Sequence, residues 1–194
     1  MLWVVIAASV AALGAVLFGV FRAKKAHDSL GLEQITKWRK DWVPITVLVD
    51  FDNFLPEEVA KLKDAVRAAA HFWNEQVGVK LFASSMEIGT GATVPVMRHD
   101  PHTMEERKEA AAYAALHLNK KGELVRATVY MADWENLPSL ILARTMKHEL
   151  GHCLGLAHDE AELSVMYGKT SDRIYCVSPL DKEFLREVYG APQT

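Results

Sequence analysis

The apolar positions of the chain begin with an unbroken run. Residues 2–21 read LWVVIAASVAALGAVLFGVF, with no charge and with Ser9 as the only hydroxyl. About 20 apolar residues span the ~30 Å hydrocarbon core of a bilayer as a helix. Only the amino terminus precedes the run, and the run exceeds the ~7–15 apolar residues of a cleaved signal peptide. An uncleaved transmembrane anchor is therefore preferred to a signal peptide. Ala11, Ala15 and Gly19 have the small-xxx-small spacing that can pair helices in a membrane, read here as chance in an alanine-rich span. Arg22, Lys24 and Lys25 follow as a basic flank. Residues 26–42 read as a linker whose Trp38 and Trp42 suit either a membrane interface or packing on the following domain.

From residue 43 the pattern changes to the shorter periods of a globular domain. Residues 44–51 (PITVLVDF) are β-branched and apolar, as in a core strand. Pro56 opens a helix with Glu57 and Glu58 in its first turn, where the helix dipole favours acids. Val59, Leu62, Ala65, Val66, Ala69, Ala70, Phe72 and Trp73 then recur at helical spacing, and Gly78 is a C-terminal stop. His71 on this helix reads as a core or surface residue. Residues 79–86 read as a second strand, and strand–helix–strand implies a parallel, right-handed crossover. Residues 89–102, with Gly, Thr and Pro, read as a loop. Residues 104–118 carry a conflict: alanine and charge favour helix, yet Asn119-Lys120-Lys121-Gly122 resembles a hairpin turn. Residues 124–131 (LVRATVYM) alternate as a strand. After a loop over 133–138, a helix starts at Pro138 or Ser139 and runs to about Leu154. Its apolar residues lie nearly all round, implying burial on several sides. Ser178 and Pro179 cap a last helix with an apolar face of Leu180, Phe184, Leu185 and Val188, ending at Gly190.

Length and charge narrow the picture. The 194 residues suffice for one ordinary domain plus the N-terminal segment. A net charge of −3 gives no electrostatic case for nucleic acid. Cys153 and Cys176 are the only cysteines, too few for a disulfide scaffold. Cys153 reads as a packed side chain, and a bridge between the two requires an oxidising compartment.

The chemistry concentrates in residues 148–159, HELGHCLGLAHD. His148 and His152 are one helical turn apart on one face, so both imidazoles can reach one zinc ion at roughly 2.0–2.1 Å. Glu149 sits beside the metal, placed to act as a general base toward water. Gly155 breaks the helix, because glycine tolerates the left-handed turn. The chain then doubles back and His158 can supply a third nitrogen. Three protein ligands leave one position open, as in catalytic zinc sites.

This pattern, H-E-x-x-H-x-x-G-x-x-H, resembles that of the metzincin metallopeptidases. Residues 164–168 (SVMYG) look like the methionine turn of that family, and the short gap from His158 to Met166 is most similar to the matrixin branch. Asp159 departs from the serine usual in matrixins and is more like adamalysins or snapalysin, and Gly168 stands where matrixins usually carry proline.

The resemblance implies an α+β, zincin-like domain over residues 43–194, with a mixed, mostly parallel twisted sheet and an active-site helix. It also resolves the conflict over residues 104–118, with helix or irregular structure to about Ala111 and an edge strand from Ala112 to Leu118. An extended peptide substrate would pair with this strand near Ala114, Ala115 and Leu116. Met166 is implied as an apolar floor under the ligands and not a ligand itself, and residues 168–177 as a wall of the substrate pocket. Tyr167 receives no metal role. A second, structural metal near His99 and His102, with His117 as a further candidate, is not expected, because the spacing does not match.

The function implied is a membrane-anchored, zinc-dependent endopeptidase acting on protein or peptide substrates. The rivals are a catalytically silent zinc-bearing interaction protein at the membrane and a zinc amidase acting on peptidoglycan. By the positive-inside rule the basic flank places the domain on the cytoplasmic side, whereas comparable anchored peptidases face outward; the flank gives a slight lean to the cytoplasm.

Overall fold

The computed structural model describes residues 36–83, 91–99, 111–132, 134–168 and 175–190. The expected span at residues 2–21, its basic flank and most of the 26–42 linker lie outside them, as do His102 and part of the expected pocket wall. Among the described residues no helix is long and apolar enough to cross a membrane.

Strand β1 (Thr46–Val49) is followed by helix α1 (Pro56–Val77), then strands β2 (Thr93–Arg98), β3 (Ala112–Leu118) and β4 (Leu124–Met131). Helices α2 (Ser139–Cys153) and α3 (Pro179–Tyr189) complete the chain order. The strands lie in the order β1-β2-β4-β3. β1–β2 and β2–β4 pair in parallel, and β4–β3 is antiparallel. The architecture is thus mixed α+β with an open, mostly parallel sheet, which fits a zincin-like domain.

Register explains the core. Val47 pairs with Val94, Val49 with Val96, and Val96 with Val129, so these side chains share one face with Ala127 and Met131. All are buried. On α1, Val59, Leu62, Ala65, Val66, Ala69, Ala70, Trp73 and Val77 are buried along one stripe, while His71 is exposed. The helix ends at Gly78, whose φ of 74° is the left-handed stop expected there. Helices α1 and α2 pack on each other, and α2 also meets β3 and β4. Helix α2, which carries His148 and His152, thus lies beside β3, an edge strand of the sheet.

Several expectations need correction. The first strand ends at Val49; Phe51 lies in a single 3-10 turn and is 62% exposed. Over residues 79–83 there is no strand, only one parallel pair between Phe82 and Ile45. Leu81 and Phe82 are fully buried, so their apolarity reflects burial in the core and not membership of a full strand. The parallel neighbour of β1 is instead β2, inside the stretch expected as a loop. Pro95 is tolerated there because the ladder with β4 begins only at Val96.

Helix α2 is less enclosed than its apolar sequence implied, since Leu140 is 70% exposed. The end of the expected linker also belongs to the domain. Trp38 is 2% exposed, and the compact unit begins at Thr36. Strands β3 and β4 and the turn between them match expectation, with Gly122 at φ 76°. So does α3, whose Ser178 hydroxyl accepts the Asp181 N–H. Cys153 and Cys176 are both free, the first buried and the second exposed.

Candidate metal centre

His148 and His152 project from one face of α2, and the helix stops just beyond them. Gly155 takes φ 95°. Its N–H donates to the His152 carbonyl and the Leu156 N–H to the Gly151 carbonyl. This is the paired closure that ends a helix on a left-handed residue. The turn returns the chain toward the helix, so that His158 faces the other two. Ring centroids are 4.7 Å apart for His148–His152, 5.2 Å for His148–His158 and 4.9 Å for His152–His158. One ligand atom from each lies within 4.8 Å of the others, the one such grouping of three among the described residues.

Hydrogen bonds fix which nitrogens face the centre. His148 Nδ1 lies 2.8 Å from the Val165 carbonyl oxygen, and His152 Nδ1 lies 2.8 Å from that of Leu156. A carbonyl only accepts, so each Nδ1 carries the proton and each Nε2 presents a lone pair. The two Nε2 atoms are 3.1 Å apart. Two acceptors at that distance repel, and a shared cation turns the repulsion into binding. Tetrahedral zinc with bonds of 2.0–2.1 Å separates neighbouring nitrogens by roughly 3.3 Å, close to what is present. Burial also holds His148 below its usual pKa, against the Val165 hydrogen bond, which favours protonation. It is thus kept in the neutral form that binds metal. The residues present fit a zinc ion.

Glu149 is buried, at 5% exposure, on α2 between the two histidines. Met166 is fully buried and packs under the helix: a β-carbon on Gly151 would meet its sulfur at 2.3 Å. The methionine turn is tied to the third histidine through the Asp159 N–H, which donates to the Met166 carbonyl at 2.8 Å. Gly168 lets its backbone approach the His158 ring, since a β-carbon there would lie 3.3 Å from Nδ1. Burial, and next the Glu149 charge, hold the Cys153 thiol far above its ordinary pKa. It is a neutral packed side chain, as its position in the sequence indicated.

The other predicted residues are placed as follows. Ala114, Ala115 and Leu116 lie on β3, an edge of the sheet, and pair on their inner side with Val129, Thr128 and Ala127. His99 is not grouped with the triad; its Nδ1 lies 2.9 Å from the Tyr113 hydroxyl. His117 is exposed on β3. Sequence reading missed the two carbonyls that orient the ligands, Val165 and Leu156, because a backbone acceptor leaves no residue-type signature. It also missed Gly151. A glycine inside a helix is unfavourable, and that was the available signal.

No family model matches the chain. It is 28% identical over 141 residues to "Matrix metalloproteinase-A" of Caenorhabditis elegans, a match covering 67% of this chain and 26% of the relative. The chain thus spans about a quarter of the length of the curated relative that it matches.

Proposed function

We propose that the chain is a zinc-dependent endopeptidase of the metzincin kind. The observation that carries this reading is the histidine triad. Two of its members are locked by backbone carbonyls with Nε2 turned inward, and a buried glutamate lies between them on the helix. The similarity to a protein named as a matrix metalloproteinase supports it. His148, His152 and His158 would hold the ion and leave one position for water or substrate. Zinc, when bound, supplies Lewis acidity toward the scissile carbonyl and lowers the pKa of water. Glu149 takes the proton from the attacking water and returns it to the leaving amine. Met166 fills the space beneath the ligands, and Gly155 permits the turn that brings His158 round. The outer edge of β3 at Ala114, Ala115 and Leu116 would hold the peptide backbone as an added strand. The uncharged run at residues 2–21 supports attachment of the enzyme to a membrane, and the basic flank supports a domain facing the cytoplasm.

The test is cleavage of a mixed peptide library by the full-length chain, with Glu149→Gln beside it and zinc content measured in both. Cleavage by the parent alone, with zinc in both, is the expected result. Zinc in both and cleavage by neither would overturn the peptidase reading in favour of a zinc-bearing interaction protein.

A further inference from the structure

The metal-binding turn is held in place from a distant part of the chain. A helix leaves its last four carbonyls without intrahelical partners, and a buried carbonyl must find one elsewhere. At the end of α2 every one of them has been found. The Gly151 and His152 carbonyls accept from Leu156 and Gly155 within the turn itself. The Cys153 carbonyl accepts the indole N–H of Trp38 at 2.6 Å, across 115 residues of sequence. The Leu154 carbonyl accepts the Tyr189 hydroxyl at 3.1 Å. That same hydroxyl accepts the Trp38 backbone N–H at 3.1 Å. Trp38 and Tyr189 are therefore one connected cap.

Residues 36–38 form a strap around this cap. The Lys37 carbonyl accepts the Leu124 N–H at 2.8 Å, which fixes the strap to the start of β4. The Thr36 carbonyl then crosses directly over Gly155, and a β-carbon on Gly155 would stand 1.9 Å from that oxygen. The turn beneath the strap leads straight to the ligands. Its Leu156 carbonyl is the partner of His152 Nδ1, and His158 follows two residues later.

We propose that Trp38, together with Tyr189, is a positioning residue for the metal centre. The pair fixes the turn that orients His152 and delivers His158, so zinc affinity depends on a strap that contributes no ligand. This rests on the zinc reading above. Groups that orient ligands typically change metal affinity by 10–100-fold when lost. Trp38 acts one step further out, so a loss of about tenfold is expected.

The test uses the full-length chain and three variants. Trp38→Phe keeps a buried ring and removes the indole donor. Tyr189→Phe removes the shared hydroxyl, and carries the test if the first variant does not fold. Val47→Ala truncates a buried apolar side chain in β1 that takes no part in the cap hydrogen bonds, and controls for general loss of stability. The readouts are zinc Kd by chelator competition, the visible spectrum of the cobalt-substituted protein and the melting temperature of the metal-free protein. The cap variants are expected to raise Kd about tenfold and shift the cobalt bands. Val47→Ala is expected to lower the metal-free melting temperature at least as much and leave Kd and spectrum unchanged. Parent-like Kd and spectrum in the cap variants, or an equal loss of zinc in the control, would overturn the proposal. A parent chain that binds no zinc would instead sink the metallopeptidase reading itself, at the first titration.

Discussion

Gly151→Ala sets helix propensity against packing at the centre of the site, and the two predict opposite signs. Gly151 lies inside α2, between His148 and His152. In an exposed helix interior alanine is favoured over glycine by about 1 kcal/mol. Here the added methyl would stand 2.3 Å from Met166 Sδ, 2.7 Å from Trp73 Cζ2 and 3.1 Å from Met166 Cε. Non-bonded carbons are most stable at roughly 3.5–4.0 Å, so the neighbours must retreat by about 1 Å. Neither can retreat into solvent, because both are fully buried. The Trp73 ring is also held by its Nε1–H, which donates to the Lys147 carbonyl at 2.8 Å. Overpacking of this kind costs about 1–3 kcal/mol. With two neighbours crowded, the upper half of that range applies, leaving a net loss of about 1–2 kcal/mol after propensity.

Urea unfolding of the metal-free protein measures this directly. A variant more stable than the parent would refute the packing argument. A double-mutant cycle with Met166→Ala sharpens it. Alone, that truncation opens a cavity costing about 2–5 kcal/mol. Combined with Gly151→Ala, the new methyl enters the vacated space, and the pair should cost about 1–3 kcal/mol less than the sum. Additivity within about 0.5 kcal/mol would show that the two groups do not collide.

Gly155→Ala forces a side chain onto a backbone at φ 95° and into the Thr36 carbonyl. Strain alone is worth about 1–3 kcal/mol, and a backbone obstacle cannot rotate away, so a melting-curve loss under about 1 kcal/mol would contradict the geometry. Asp181→Asn should alter the pH dependence of stability. Burial raises the Asp181 carboxyl from 3.8 to about 6, opposed by a hydrogen bond with Ser178 and reinforced by the Asp159 charge. The folded state thus holds this proton longer than the unfolded one. Its contribution is fully present below about pH 4 and is lost as pH rises through about 6, a loss of roughly 2–3 kcal/mol. Asparagine should remove that decline and be the more stable protein at pH 8; parallel unfolding profiles from pH 4 to 8 would refute the assignment.

The parts of the fold that misled the sequence reading share one physical cause. Apolar periodicity reports burial, and burial does not name the partner. Residues 79–83 are mostly apolar because Leu81 and Phe82 fill the core, yet Phe82 forms only an isolated bridge to Ile45, just outside β1. Residues 89–102 read as loop from their Gly, Thr and Pro, and Pro95 ordinarily argues against an inner strand. Which neighbour needs an N–H at that position depends on register, and register is set between β1, β2 and β4. Strand β3 shows the reverse: its alanines favour helix, but the turn at residues 119–122 and pairing with β4 override that preference.

The site was more legible than the fold because its donors come from one short stretch. Helical spacing puts His148 and His152 on one face, and a glycine three residues after the second of them signals the reversal that brings His158 round. These are local constraints, readable from residue types alone. What orients the donors is not local. His148 is set by the Val165 carbonyl, His152 by the Leu156 carbonyl, and the turn between them by Trp38 and Tyr189. The glycines follow the same rule. Gly151 is required by Met166 and Trp73, and Gly155 by Thr36 as well as by its own φ. The motif therefore specifies which atoms can meet a metal, while the tertiary partners specify how rigidly they are held. Two chains with identical residues at positions 148–159 could thus differ in metal affinity through residue 38 alone.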